Sequence, residues 1–188
     1  SPGYADIDGD GDLDAFIGSS NGYTYYYENT TDYAAGSAIQ FTSRGNTYLG
    51  LPDVGGYASP DFVDINADGI LDVFIGHDYS VQTGSYDGTL SYFQGKADGT
   101  FEAEEINPFN LSVSGRYSSP DFVDVDGDGD YDVFVSYNSV STKYYENIGT
   151  SSNAEFTTGV DVLSDVGTRE KISVVDIDGD GDLDAFVG

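Results

Sequence analysis

The chain has 188 residues, and its 34 acidic residues against 6 Lys and Arg give a formal net charge of −28. This charge argues against a nucleic-acid partner, which needs a basic face, and the lack of any run of about 18 apolar residues argues against direct membrane insertion. The 16 Tyr and 11 Phe are typical of strands and not of disorder, and the absence of Cys excludes disulfides and thiolate metal sites.

The first predicted elements are four short β-like segments, two of which flank an acidic run. "SPGYA" precedes the run "DIDGDGDLD", which begins at Asp6, and "AFIG" follows it. The third segment is "YYEN" from Tyr26, and a looser fourth, "IQFTS", lies near Phe41. Gly, Asn, Asp and Ser separate the segments, and no helical period interrupts them, so the pattern predicts strands.

The same order of segments recurs along the rest of the chain. Further acidic runs begin at Asp64, Asp124 and Asp176, at intervals of 58, 60 and 52 residues. "SPDFVD" occurs twice before these runs, whereas the last copy, "KISVVD", has lost the Ser-Pro. The later third and fourth segments are "YFQG" at Tyr92, "YYEN" at Tyr144, "GTFEAE" near Phe101 and "AEFTT" near Phe156.

A repeat of this length predicts a solenoid, propeller or array, and four strands in each unit favour the blade of a β-propeller. We therefore predict an all-β chain with about three complete blades of four antiparallel strands, followed by the start of a fourth. The predicted units are residues 1–58, 59–118, 119–170 and 171–188. Because propellers typically close with four to eight blades, we expect the chain to belong to a larger propeller or to assemble with copies of itself.

The acidic runs share the pattern D-x-[DN]-x-D-G-x-x-D, which predicts calcium sites. Calcium takes six to eight oxygen ligands, alternate acidic positions in a tight loop supply them, and Gly at position 6 permits the sharp turn. Position 7 is expected to offer its backbone carbonyl and position 9 the closing carboxylate. Up to four Ca²⁺ ions are predicted, and their ligands are Asp6, Asp8, Asp10, Asp12, Asp14, Asp64, Asn66, Asp68, Ile70, Asp72, Asp124, Asp126, Asp128, Asp130, Asp132, Asp176, Asp178, Asp180, Asp182 and Asp184.

Three other interpretations of the acidic runs compete with calcium sites. An EF-hand requires Glu at position 12, where this chain has Ile17, Ile75, Val135 or Val187, and a strand pattern follows the loop in place of a helix. Magnesium is disfavoured because it requires a small octahedron and keeps several waters. The third alternative is four solvated acidic turns without metal. The fourth loop is the least secure site, because only four residues follow Asp184 and an unpaired strand there would fray.

The segment "FVDINADGILDVFIG" and its copies resemble the FG-GAP/VCBS repeats of integrin alpha-subunit propellers and of many bacterial extracellular proteins. The resemblance extends over essentially the whole chain. It implies calcium in each loop, a β-propeller, and a secreted or cell-surface location. The family includes adhesion modules, lectin-like binders and accessory domains of polysaccharide-active enzymes, so the resemblance does not identify the ligand.

The residues favour binding over catalysis, and we expect no enzymatic activity. The single His, His77, is expected on an exposed loop, and Glu102, Glu104 and Glu105 are expected on a solvated strand face. Tyrosines in the third segments could offer platforms for sugars, although packing between blades is the favoured interpretation. These tyrosines are Tyr23, Tyr25, Tyr26, Tyr27, Tyr144 and Tyr145.

The preferred functional hypothesis is a non-catalytic extracellular scaffold or adhesion module whose blades are stabilised by calcium. Its partner would be a protein or glycan ligand at the cell surface or in the matrix. The alternatives are a carbohydrate-binding lectin-like propeller and the accessory domain of an extracellular polysaccharide-active enzyme. Self-assembly of the chain is a further possibility.

Overall fold

The structure is a computed structural model, and it describes residues 1–34, 37–79, 84, 86, 89–111, 113, 115–137, 141–164 and 171–188. Within these residues, every regular element is a β-strand. The same described residues contain no helix that is long and apolar enough to cross a membrane.

The strands form four antiparallel sheets in chain order. The first sheet contains β1 (Pro2–Ala5), β2 (Asp14–Gly18), β3 (Thr24–Asn29) and β4 (Phe41–Gly45). The second contains β5 (Ser59–Val63), β6 (Asp72–His77), β7 (Thr89–Phe93) and β8 (Glu105–Ile106). The third contains β9 (Ser119–Val123), β10 (Asp132–Ser136), β11 (Ser141–Tyr145) and β12 (Val160–Ser164), and the fourth contains β13 (Ile172–Val175) and β14 (Asp184–Val187).

This arrangement confirms the predicted fold class of three four-stranded antiparallel blades followed by a smaller fourth sheet. Each sheet lies within one of the four units predicted from the sequence. Residues 165–170, at the end of the third unit, lie outside the described residues. The unit boundaries and the number of blades in a closed ring stay predictions.

The first strands of the four sheets are neighbours in the order β1, β5, β9 and β13. The hydroxyls of Ser59 and Ser119, at the same register position of adjacent sheets, are hydrogen-bonded at 2.7 Å. Lys171, the equivalent residue of the fourth unit, donates from Nζ to the carbonyl oxygen of Pro2 at 2.9 Å. Together with Ser1, these residues line a cavity of about 170 Å³, so the first strands surround a common centre.

Aromatic side chains fill the junctions between sheets. The ring centroids of Phe16 on β2 and Phe62 on β5 are 4.1 Å apart, and those of Phe74 on β6 and Phe122 on β9 are 4.4 Å apart. Phe16 and Phe74 are fully buried as a result. Each fully buried Phe contributes about 1.5–3 kcal/mol of hydrophobic stabilisation, so these pairs are a main cohesive element between blades.

A glycine near the end of the second strand permits this close approach in the first two sheets. A Cβ at Gly18 would collide with the carbonyl oxygen of Ala58, and one at Gly76 would collide with that of Ser118. The two glycines occupy the same position in successive units, so the junction between blades repeats in its backbone as well as in its side chains.

The fourth strands of the second and third sheets begin later than the sequence predicts. Phe101 and Phe156 form only isolated bridges, with Gly95 and Asn147, and β8 and β12 follow them. Phe156 is 6% exposed and belongs to the hydrophobic core. These segments were predicted as strands because they alternate, but the aromatic side chain is used to cover the core before the strand begins.

Candidate metal centres

Each acidic run forms the loop between the first and second strands of its sheet, and the four loops share one hydrogen-bond pattern. The carboxylate at position 1 accepts the backbone N–H of the position-6 Gly at 2.8–3.1 Å in all four loops. The position-5 carboxylate accepts the N–H of position 7 at 2.9–3.0 Å. The acidic residues thus fold the loop around themselves.

Two positions of each loop adopt the left-handed conformation. Gly at position 6 was predicted to do so, and its φ lies between 84° and 95°. Position 4 does the same and was missed, although Gly occupies it in three of the four runs. The position-4 residues are Gly9, Ala67, Gly127 and Gly179, with φ of 75°, 54°, 77° and 76°.

The loops bring their first three acidic side chains together. One carboxylate oxygen from each residue lies within 4.8 Å of the others in three loops. These triplets are Asp6, Asp8 and Asp10; Asp124, Asp126 and Asp128; and Asp176, Asp178 and Asp180. The fourth unit, which was the least secure prediction, therefore forms the same cluster, and β13 pairs with β14 over four residues.

The second loop replaces one carboxylate with an amide. Asn66 Oδ1 accepts the N–H of Asp68 at 2.9 Å, which is the bond that a carboxylate makes in the other loops. The amide oxygen is a neutral ligand of the same hardness, so the second loop keeps an oxygen donor at position 3. Because Ile70 also replaces the acid of position 7, this loop carries two negative charges fewer than the others.

The residues at position 7 have different side chains, and their backbone N–H groups have the same role. Asp130 is buried, and burial together with the nearby carboxylates of Asp128, Asp132 and Asp126 raises its pKa to about 6. Burial and neighbouring carboxylates also raise the pKa of Asp12. The contribution of a main-chain carbonyl from Asp12, Ile70, Asp130 and Asp182 stays a prediction.

The position-9 carboxylates are buried and bound to the third strand in the first three sheets. Asp14, Asp72 and Asp132 are at most 2% exposed. Each accepts a backbone N–H at 2.7 Å and a tyrosine hydroxyl at 3.0–3.2 Å. The donating tyrosines are Tyr26, Tyr92 and Tyr144. Their recurrence at the same place in the third segment was the available signal for this contact, which sequence reasoning missed.

The metal-free loops carry uncompensated charge. Burial, followed by the carboxylates of Asp68 and Asp64, raises the pKa of Asp72 to about 6. Within the described residues, the four ion pairs involve only acids outside the loops. A cation from solution would neutralise these clusters, and a set made only of oxygen donors fits a hard divalent cation such as calcium.

The other candidate residues take structural roles. The prediction that His77 lies on an exposed loop was wrong: it ends β6 and is fully buried. Its Nε2 lies 2.8 Å from the hydroxyl of Thr89 and 2.9 Å from that of Ser91, and its Nδ1 lies 3.1 Å from the carbonyl oxygen of Tyr79. These groups satisfy the imidazole, which is why a polar side chain is stable in this position.

The predicted solvated face and aromatic platforms are only partly present. Glu102 and Glu105 are exposed, but Glu104 is half-buried and accepts a hydrogen bond from Ser91. Tyr26 and Tyr145 are buried in the core, as the packing interpretation predicted. Four of the tyrosines are half-buried: Tyr23, Tyr25, Tyr27 and Tyr144.

Comparison with known families identifies the class of protein. A model of the FG-GAP-like repeat matches residues 6–75, 77–135 and 124–187. The chain therefore belongs to the FG-GAP-like repeat family, as its sequence resemblance implied. Repeats of this family are typical of extracellular proteins. No curated protein matches the chain.

Proposed function

We propose that the chain is a calcium-binding propeller module that acts outside the cell as a non-catalytic interaction scaffold. The observation that carries the proposal is the convergence of three carboxylates within 4.8 Å in three loops of identical backbone pattern. Four calcium ions would reduce the formal charge from −28 to about −20 and remove like-charge repulsion within each loop.

The lack of catalysis is part of the proposal. The one imidazole of the sequence is buried among hydroxyl and carbonyl partners, and the repeated carboxylates are assigned to metal. The proposed extracellular setting is consistent with calcium as the ion, because extracellular modules typically bind calcium with a Kd of about 10⁻⁴–10⁻³ M.

Native mass spectrometry of the chain from calcium buffer, repeated after chelation, tests the metal assignment. We expect up to four calcium ions per chain. Their removal should shift the spectrum to higher charge states, because repulsion among the carboxylates of each metal-free loop makes the chain less compact. A chain that holds no calcium and keeps its charge-state distribution after chelation would reduce the acidic runs to solvated turns. The same spectra report self-assembly.

The scaffold role needs a separate measurement. Binding to immobilised extracellular-matrix proteins is compared with binding to a glycan array, each in calcium and after chelation. Calcium-dependent binding to proteins supports a scaffold, whereas calcium-dependent binding confined to glycans would replace it with the lectin-like alternative.

A further inference from the structure

The position-9 carboxylate of each complete sheet is held by groups outside its own loop. Asp14 is 1% exposed, and its Oδ2 accepts the hydroxyl of Tyr26 at 3.1 Å while its Oδ1 accepts the N–H of Asn29 at 2.7 Å. Asp72 and Asp132 accept the equivalent pair of hydrogen bonds in the second and third sheets.

The hydroxyl that holds the carboxylate is itself fixed by packing. Tyr26 lies directly across from Phe16 in the pairing of β2 with β3, and their rings stack with centroids 5.1 Å apart. The same cross-strand pair recurs in the other complete sheets. Phe74 with Tyr92 and Phe134 with Tyr144 have centroids 4.8 Å and 5.1 Å apart.

Hydrogen bonds to the carboxylate do not exclude a metal, because two carboxylate oxygens offer about four lone-pair sites. They fix its orientation before the ion arrives. Partners of this kind, one shell beyond the ligands, typically change metal affinity 10–100-fold when they are removed.

We propose that Tyr26, Tyr92 and Tyr144 are positioning residues that hold the position-9 carboxylate for calcium. The inference rests on the proposed function, since it concerns the affinity of the same loops. It makes calcium binding in the first three loops depend on the third strand of each sheet.

The test follows calcium binding loop by loop. The backbone amide resonances of the position-6 glycines in a two-dimensional ¹H–¹⁵N spectrum report each loop separately during a calcium titration of the full chain. The reporters are Gly11, Gly69, Gly129 and Gly181. Gly11, Gly69 and Gly129 report the loops whose position-9 carboxylate accepts a tyrosine hydroxyl.

The variant Tyr26→Phe removes only the hydroxyl and keeps the stacked ring. We expect it to raise the Kd reported by Gly11 about tenfold and to leave the Kd reported by Gly129 unchanged. Tyr25→Phe is the matched control, because Tyr25 precedes Tyr26 on β3 and its side chain points to the opposite face of the sheet. It should leave all four values unchanged.

A double-mutant cycle separates positioning from a general effect on folding. In an Asp14→Asn background, Tyr26→Phe should have no further effect on the Gly11 titration, because the hydroxyl acts through that carboxylate. An unchanged Kd at Gly11 in Tyr26→Phe, or an equal loss at all four loops, would overturn the inference while leaving calcium binding intact. If no glycine responds to calcium, the proposed function itself fails.

Discussion

The carboxylate of Asp61 on β5 accepts a hydrogen bond of 2.9 Å from the backbone N–H of Phe122 on β9, in the next blade. Asp121 repeats the contact one blade further on, where it accepts the N–H of Val174 at 2.8 Å. Burial and the nearby carboxylate of Asp121 raise the pKa of Asp61 to about 7. The junction between blades therefore uses an acceptor that is costly to ionise.

The variant Asp61→Asn is expected to stabilise the protein at pH 8 by about 1 kcal/mol, because it keeps an acceptor for Phe122 and removes the charge. The raised pKa means that the contribution of Asp61 to stability is fully present below pH 4 and is lost as the pH rises through 7. The advantage of the variant should therefore vanish at pH 4. Urea unfolding followed by tyrosine circular dichroism measures the difference.

Two comparisons control this prediction. Asp61→Ala removes the acceptor and should destabilise by about 1–3 kcal/mol. Asp53→Asn alters an exposed carboxylate that also accepts a backbone N–H, from Gly55, and should give no gain at pH 8. A loss of stability in Asp61→Asn at pH 8 would show that the charge itself holds the junction.

Ala67 occupies the left-handed position 4 of the second loop, where the other loops have Gly. Ala67→Gly is expected to raise the free energy of unfolding by up to about 1 kcal/mol, because it relieves a backbone conformation that disfavours Cβ. The reciprocal change, Gly127→Ala, should lower it by about 1 kcal/mol, and no atom lies near the added Cβ to obscure the backbone effect. The denaturant midpoints of the two variants and of the unsubstituted chain, all measured without metal, test the prediction. Equal midpoints would contradict it.

His77 should remain neutral in the folded protein well below the ordinary pKa of histidine. Burial lowers its pKa to about 4 from 6.5. Its contribution to stability is present above pH 6.5 and is lost as the pH falls towards 4, by about 3 kcal/mol in total. Because the sequence has one His, the imidazole resonances report it without ambiguity. We expect these resonances not to titrate between pH 8 and 5 in the folded protein and to titrate with a midpoint of about 6.5 in urea. A folded imidazole that titrates near 6.5 would refute the prediction.

Calcium affinity should fall as the pH decreases through 6. The pKa values of Asp72 and Asp130 are raised to about 6 in the metal-free fold, so protons compete with the ion in this range. The contribution of these two carboxyl groups to the free energy of unfolding of the metal-free protein should instead rise as the pH decreases, because protonation relieves charge that is buried on folding. Calcium titrations at pH 8 and pH 5, at constant ionic strength, measure the first effect. Equal affinities at the two values would contradict it.

The metal loops could be predicted from the sequence because their geometry is determined locally. All contacts among positions 1, 3, 5 and 6 lie within six residues, and Gly marks the turn. The strands on either side were predictable for the same reason, since Phe16 and its neighbours alternate within a short segment.

Contacts between distant segments could not be predicted in this way. His77 is buried because Thr89 and Ser91 on the next strand and Ser118, the residue before β9, surround it. The hydroxyl of Ser118 accepts its backbone N–H across 41 residues. The late start of β8 and β12 likewise depends on where Phe101 and Phe156 find space in the core. The tyrosine contact to position 9 required knowledge of which residues of two strands stand opposite each other.

The junction built from Phe16 and Phe62 recurs with Phe74 and Phe122, and the glycine that permits close approach recurs with it. The second unit thus presents to its successor the same face that the first unit presents to the second. A gene encoding such units could gain or lose one by tandem duplication or deletion without new compensating mutations at the seam. Blade number is consequently free to vary among descendants of one ancestral repeat, and an averaged repeat sequence is a practical starting point for engineered arrays.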